Sequence, residues 1–223
     1  MEICKICHGG CCRKEPPLLW GSDIIRICEA LNFDLNFFTT VYPIAEDKIE
    51  ETSKHTPLFI FTNSGEKQHF SLVLKFNESK FYPGTSKCIF LQEWSAEALG
   101  SEELTGIVGR CGIYSCRPVS CRAYPAKYDE EKKEIIIKDP YLALEKEHKM
   151  TTDSSACKLC PQALTEADYK PFMESYAANS VLNKYEKDFF MNLAEKWNKN
   201  PDVSDNFYDF LVKEYNDRIE YTK

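Results

Sequence analysis

The chain has 223 residues, 43% of them hydrophobic and 28% charged, a balance that fits a globular protein with one substantial core and argues against wholesale disorder. Its formal charge is -7 and its basic residues are scattered, so it lacks the electrostatic footprint of a nucleic-acid binder. Met1-Glu2-Ile3-Cys4-Lys5 is not a cationic segment leading into an apolar one, and no run of about 18 apolar residues follows. The expectation is therefore a cytoplasmic protein with no leader, no membrane span and no membrane partner.

In chain order, Met1 to Lys14 places Cys4, Cys7, Cys11 and Cys12 around Gly9-Gly10. That pattern has neither helical nor strand period and reads as a tight ligand loop. Pro16-Pro17 closes it. Ser22 is a candidate cap for a helix whose apolar residues Ile24, Ile27, Cys28 and Leu31 recur at i, i+3, i+4 and i+7, which assigns Cys28 to the core. A short helix is expected over Asn36 to Val41, then strands over Pro57 to Thr62 and His69 to Phe76, with Ser64-Gly65-Glu66 as the turn between them. Cys88-Ile89-Phe90-Leu91 reads as a buried strand, and Glu134 to Lys138 as another. From Asp168 the chain reads as helical, with Leu182, Tyr185, Phe189 and Leu193 on one face and Asn200-Pro201 as a break. Ser204 then caps a last helix carrying Phe207, Phe210 and Leu211.

Eleven cysteines would suggest disulfides in a secreted chain, but a reducing cytosol disfavours them and the odd count leaves a thiol over. Metal ligation is the leading explanation. Cys4-x2-Cys7 and Cys157-x2-Cys160 each place two soft thiolates on one side of a turn, the spacing that grips one metal. Between them Cys111, Cys116 and Cys121 recur at every fifth position, with Pro118 and Pro125 stiffening the backbone. Four thiolates around zinc(II) or an oxidised [4Fe-4S] core leave a formal charge of about -2. Arg110, Arg117 and Arg122 stand close in sequence to the thiolates and are candidates to balance it.

Cys4-x2-Cys7-x3-Cys11-Cys12, Cys88-x-Phe90-Leu91, Cys111-x-Ile113-Tyr114-x2-Arg117-Pro118-x2-Cys121-Arg122-x-Tyr124-Pro125 and Cys160-Pro161 together resemble the YkgJ-type cysteine-cluster family. That family is described as a zinc- or iron-chelating domain and shares its cysteine pattern with flagellin lysine N-methylases. The resemblance runs from Cys4 to Pro161 and implies a ligand set of Cys4, Cys7, Cys11, Cys12, Cys88, Cys111, Cys121 and Cys160, with Cys157 in reserve. The gap between Cys7 and Cys11 is one residue longer than the family's usual signature, Cys116 and Cys157 are additional, and the glycines that commonly follow Cys160-Pro161 are missing.

All-cysteine coordination suits both zinc and [4Fe-4S]. The resemblance and the adjacent Cys11-Cys12 pair, unlike zinc-finger spacing, favour the iron-sulfur cluster, with a structural zinc module as the alternative. Resemblance alone implies a further alternative, an S-adenosylmethionine-dependent protein-lysine methyltransferase. No catalytic residue is legible for it. Gly106-x2-Gly109-x2-Gly112 lacks the G-x-G-x-x-G form and reads as backbone shaping. The fold expectation is α+β: a small mixed cysteine-rich body, residues 1–161, holds the metal loops, and a helical C-terminal region, residues 162–223, packs on it as part of the same globule. A protein partner of unspecified kind is left open.

Overall fold

A computed structural model of the chain describes residues 9, 11–14, 16–64, 68–95, 97–100, 107–124, 126–137 and 170–220. The fold is α+β. Its elements are α1 (Cys11–Lys14), α2 (Gly21–Leu31), α3 (Leu35–Phe38), β1 (Thr39–Ile44), α4 (Ile49–Ser53), β2 (Phe59–Ile60), β3 (His69–Leu74), β4 (Phe76–Glu78), β5 (Ser86–Cys88), β6 (Leu91–Ser95), β7 (Ile107–Cys111), α5 (Val119–Ala123), β8 (Ala126–Asp129), β9 (Glu134–Ile137), α6 (Met173–Lys199) and α7 (Phe207–Glu220). No helix among the described residues is long and apolar enough to cross a membrane.

The chain divides into two compact units. One takes in the described parts of Met1–Pro16, Lys75–Arg117 and Cys121–Ser180; the other takes in Pro17–Leu74, Pro118–Ser120 and Val181–Lys223. The first is built on three antiparallel hairpins, β4-β5, β6-β7 and β8-β9. The second holds an antiparallel sheet of order β1-β3-β2, together with α2, α7 and the greater part of α6.

In the second unit β3 is the central strand, and Ser71, Leu72, Val73 and Leu74 are all buried. Alternation predicts only one buried face there. The other face is buried too, so the strand carries apolar residues on both sides of its pleat. Leu19 N–H donates to the Leu72 carbonyl at 3.1 Å and Leu74 N–H to the Pro17 carbonyl at 3.0 Å, extending the pairing along the edge that β2 leaves open. The short β2 is completed by side chains. Asn198 accepts from Ile60 N–H at 2.9 Å and donates to the Leu58 carbonyl at 2.7 Å, while the Trp197 indole N–H donates to the Ile60 carbonyl at 2.7 Å. Satisfying these backbone groups lets a two-residue strand remain buried. Phe59 meets Phe190 at 5.0 Å and Phe207 at 4.9 Å between centroids, and Phe207 meets Trp197 edge-on at 5.1 Å, a set of tilted aromatic contacts that fills the core.

Several expectations require correction. The Asn36 to Val41 stretch is not one helix: Asp34 accepts from Asn36 N–H at 2.7 Å and caps the single turn α3, after which Thr39 begins β1. Ser22 lies inside α2, whose N-cap is Trp20; the Asp23 carboxylate accepts Trp20 N–H at 3.2 Å, so the capping acceptor comes from within the first turn. The expected face of α6 holds at Leu193, which is buried, but not at Leu182 or at Tyr185, the latter 55% exposed; Glu186 and Phe190 are buried instead. Glu186 can occupy the buried face because Arg218 pairs with it at 3.0 Å and Tyr215 donates its hydroxyl to it at 3.1 Å, which offsets the cost of taking a carboxylate out of water. Gly65 and Glu66 of the expected turn lie outside the described residues.

Phe207 is 1% exposed and central to the aromatic contacts, whereas Val181 is 56% exposed. Phe207→Ala is expected to cost about 3–5 kcal/mol, and Val181→Ala about 0.5 kcal/mol or less. Urea unfolding followed by circular dichroism measures both.

Candidate functional site

The thiols of the first unit are carried by two hairpin ends and two short helices. Cys88 ends β5 opposite Phe76, and Cys111 ends β7 opposite Leu91. The expected single strand over Cys88 to Leu91 is instead broken by a turn at Ile89-Phe90, with Cys88 ending β5 and Leu91 beginning β6. Ile89 N–H donates to the Lys75 carbonyl at 3.0 Å, and Gly112 N–H to the Phe90 carbonyl at 2.8 Å. A Cβ on Gly112 would stand 3.2 Å from that carbonyl oxygen, so this glycine serves close approach of the chain to itself. The turn also directs the backbone N–H groups of Phe90 and Leu91 onto the Cys88 sulfur, the kind of donor that stabilises a thiolate.

The Gly9 end of the first cysteine loop is seated on the same turn. Gly9 has φ +82°, and a Cβ there would lie 2.7 Å from a Leu91 methyl; both the backbone conformation and the contact call for glycine. Its carbonyl accepts Cys12 N–H at 3.0 Å and starts α1, which packs against β5. The Cys11 and Cys12 sulfurs are 4.0 Å apart. Cys121 is carried on α5, whose first residue is fixed by a buried carboxylate: Asp23 accepts Val119 N–H at 2.9 Å.

The electrostatics show which thiols converge. The neighbouring Cys11 thiol draws the Cys12 pKa down, but burial and the repulsion of Cys88, Cys121 and Cys111 outweigh it and the net shift is upward. Burial, reinforced by Cys111 and Cys11, pushes Cys88 up to about 12 despite its two backbone donors. Thus Cys11, Cys12, Cys88, Cys111 and Cys121, from four separated stretches of sequence, share one neighbourhood. Buried and crowded, Cys12 and Cys88 are neutral at neutral pH, and a cation among them is what would convert them to thiolates. Thiolates are the donors that a soft metal or cluster takes, but among the described residues no three His, Cys, Asp or Glu side chains stand together at metal-holding distance. Cys4, Cys7, Cys157 and Cys160 lie outside the described residues. Cys28 is buried with the second unit's helices, as its periodicity predicts.

The cation that anchors this region is one the sequence reading passed over. Arg13, next to Cys12, forms an ion pair with Glu93 of β6, and their side chains are only 4% and 2% exposed. Glu93 also accepts from Ser79 at 2.9 Å and pairs with Lys87 at 3.1 Å, and the guanidinium carbon of Arg13 sits 5.0 Å from the Tyr82 ring centroid. The only sequence signal for it is the adjacency of Arg13 to the Cys11-Cys12 pair. Of the arginines nominated from sequence, Arg117 stacks on the Tyr114 ring at 4.1 Å, and Arg122 is half-buried on α5 beside Cys121.

Comparison with family models, curated proteins and solved structures gives no match to this chain. The site therefore stands on its own chemistry.

Burial raises the Glu93 pKa, but hydrogen bonds from Arg13, Lys87 and Ser79 together bring it below its ordinary value of 4.5. A depressed carboxylate stabilises the fold above that ordinary value, and the contribution is lost as pH falls through the folded-state pKa. Glu93→Gln is expected to cost about 3–5 kcal/mol at neutral pH, because Arg13 and Lys87 keep their buried charges without a counter-charge. Its melting temperature should also fall less steeply than the wild type's below pH 4.5, in thermal melts from pH 7 to pH 3.

Proposed function

We propose that this is a metal-binding cysteine-cluster protein holding an iron-sulfur cluster, [4Fe-4S], in an all-cysteine site, as the resemblance to the YkgJ-type family implies. What supports the proposal is placement: α1, with Cys11 and Cys12, packs on β5, which ends at Cys88, and Cys88, Cys111 and Cys121 are near enough for their charge to act on Cys12. Burial and crowding hold these thiols in their neutral form, and a bound cation would favour the thiolate form that ligates it. Cys4, Cys7, Cys157 and Cys160 complete the proposed donor set, and Arg117 and Arg122 are the proposed charge-balancing residues. A bound cluster would supply one-electron redox chemistry or a structural cross-link. The chain's own residues do the rest: Arg13 and Glu93 hold the Cys11-Cys12 turn in place, and the Phe90 and Leu91 N–H groups turn toward the Cys88 sulfur.

Anaerobic purification with iron, zinc and acid-labile sulfide analysis tests this directly. The expected result is about four iron and four sulfide per chain with broad visible absorption. Cys88→Ser and Cys111→Ser should each lose most of the metal, while Cys28→Ser, in the other unit, should retain it. Zinc without sulfide would replace the cluster by a structural zinc site, and protein containing neither would overturn the proposal. Chelation of the metal should lower the melting temperature of the loaded protein.

A further inference from the structure

The first unit contains a cavity of about 310 Å³ on its β4-β5 and β6-β7 hairpins, lined by residues that include Lys80, Phe81, Lys87, Gln92, Glu93 and Trp94. None of these is a candidate metal ligand, so the cavity stands apart from the thiol reading. Lys80 and Phe81 belong to the loop that joins β4 to β5, and Ser79 fixes that loop. The Ser79 N–H donates to the Thr85 carbonyl at 2.9 Å, and its hydroxyl accepts the N–H groups of Phe81 and Tyr82 at 3.3 and 3.2 Å, the local bonding by which serine shapes a turn. Ser79 itself is buried, yet the loop it ties down holds Phe81, a large apolar side chain, 41% exposed.

The polar groups around the cavity are unevenly used. Glu93, the only acid of the lining among the described residues, already receives Arg13, Ser79 and Lys87. Two cations, whose side chains are 4% and 15% exposed, thus share one carboxylate. A lysine ammonium has three N–H donors; Glu93 and the Leu91 carbonyl take two of those on Lys87. The Lys80 ammonium, the Gln92 amide and the Trp94 indole N–H bond to nothing among the described residues. The lining therefore has spare donors, surplus positive charge and no spare acid, in a chain whose formal charge is -7. Poorly solvated cations that outnumber their counter-charges call for an anion.

We propose that this cavity binds a small aromatic carboxylate. Lys80 and Lys87 receive the carboxylate, Trp94 and Gln92 offer further donors, and the ring lies against the aromatic surface of Phe81 and Trp94. The volume is at the lower end for ligand pockets, about 300 Å³, and suits one or two fused rings with a short acidic arm. A bare inorganic anion would leave the Phe81 ring uncovered, and a neutral ring would leave the ammonium groups without a counter-charge.

Calorimetric titration of the full chain at low ionic strength, with benzoate in one arm and 1-naphthoate in the other, tests the proposal. One saturable site is expected for at least one of them, weakened about threefold or more when salt is raised to about 0.5 M. Acetate, inorganic phosphate and benzamide should each bind about tenfold more weakly or worse. Of the three tryptophans, Trp20 and Trp197 are buried in the other unit, so binding should change the fluorescence of Trp94, and Trp94→Phe should abolish that change. Lys80→Gln should weaken binding about fivefold, and Phe81→Leu about two- to fivefold. Lys127→Gln, the same charge change on an exposed residue outside the lining, should alter it less than about twofold. No saturable binding of either carboxylate, equal weakening by Lys80→Gln and Lys127→Gln, or binding of benzamide or phosphate as tight as that of the aromatic carboxylates would overturn it.

Discussion

A guanidinium buried beside a cluster of thiols needs a carboxylate, and Glu93 supplies it across 80 residues of sequence. Neither Arg13 nor Glu93 is exposed enough to be solvated on its own, so each is tolerable only while the other stays in place. The pair thereby ties α1 to the β6 strand, while α1, with Cys11 and Cys12, packs on β5. Ser79, Lys87 and the Tyr82 ring complete the arrangement. These directional contacts leave the Arg13 Nε as the guanidinium nitrogen without a partner among the described residues, and they specify the seating of the turn more narrowly than an apolar contact would.

The thiols pose the opposite problem. Cys12 and Cys88 each titrate against the others, and every thiolate formed makes the next harder to form. Backbone N–H groups at Cys88 ease this only in part, since burial still dominates its shift. As neutral thiols the cysteines pack like small hydrophobes and incur no such penalty; the crowding acts only when they serve as ligands, because a bound cation would favour thiolates that the fold alone disfavours.

What was legible in the sequence was local. Ile24, Ile27 and Cys28 mark the buried face of α2, and the β-branched run Ile135–Ile137 lies within β9. Less legible were places where a distant partner decides. The apolar pattern of α6 points to Leu182 and Tyr185, yet Glu186 is buried instead because Arg218 and Tyr215 of α7 meet it. The apolar run after Cys88 contains a turn because Lys75 and Gly112 offer it backbone partners. In the site the cysteine spacing could be read directly, but the ion pair that seats the Cys11-Cys12 turn could not, because Arg13 of α1 finds its acid, Glu93, on the distant β6-β7 hairpin.

Two buried carboxylates show how environment decides between similar demands. Glu93 faces two cations and a hydroxyl, and their combined effect exceeds the burial penalty, so its pKa falls. Asp23 is wholly buried; it accepts from Val119 N–H, Trp20 N–H and Arg26, yet burial prevails and its pKa rises. Acidification therefore acts on them in opposite directions. Protonating Glu93 removes a favourable interaction, whereas Asp23, with its folded value above the unfolded one, binds a proton more readily in the folded chain and gains relative stability. Asp23 persists because its removal would leave two backbone N–H groups without an acceptor, at about 1–3 kcal/mol each. One of those groups belongs to Val119, so the residue that caps α2 also fixes the start of the helix that carries Cys121.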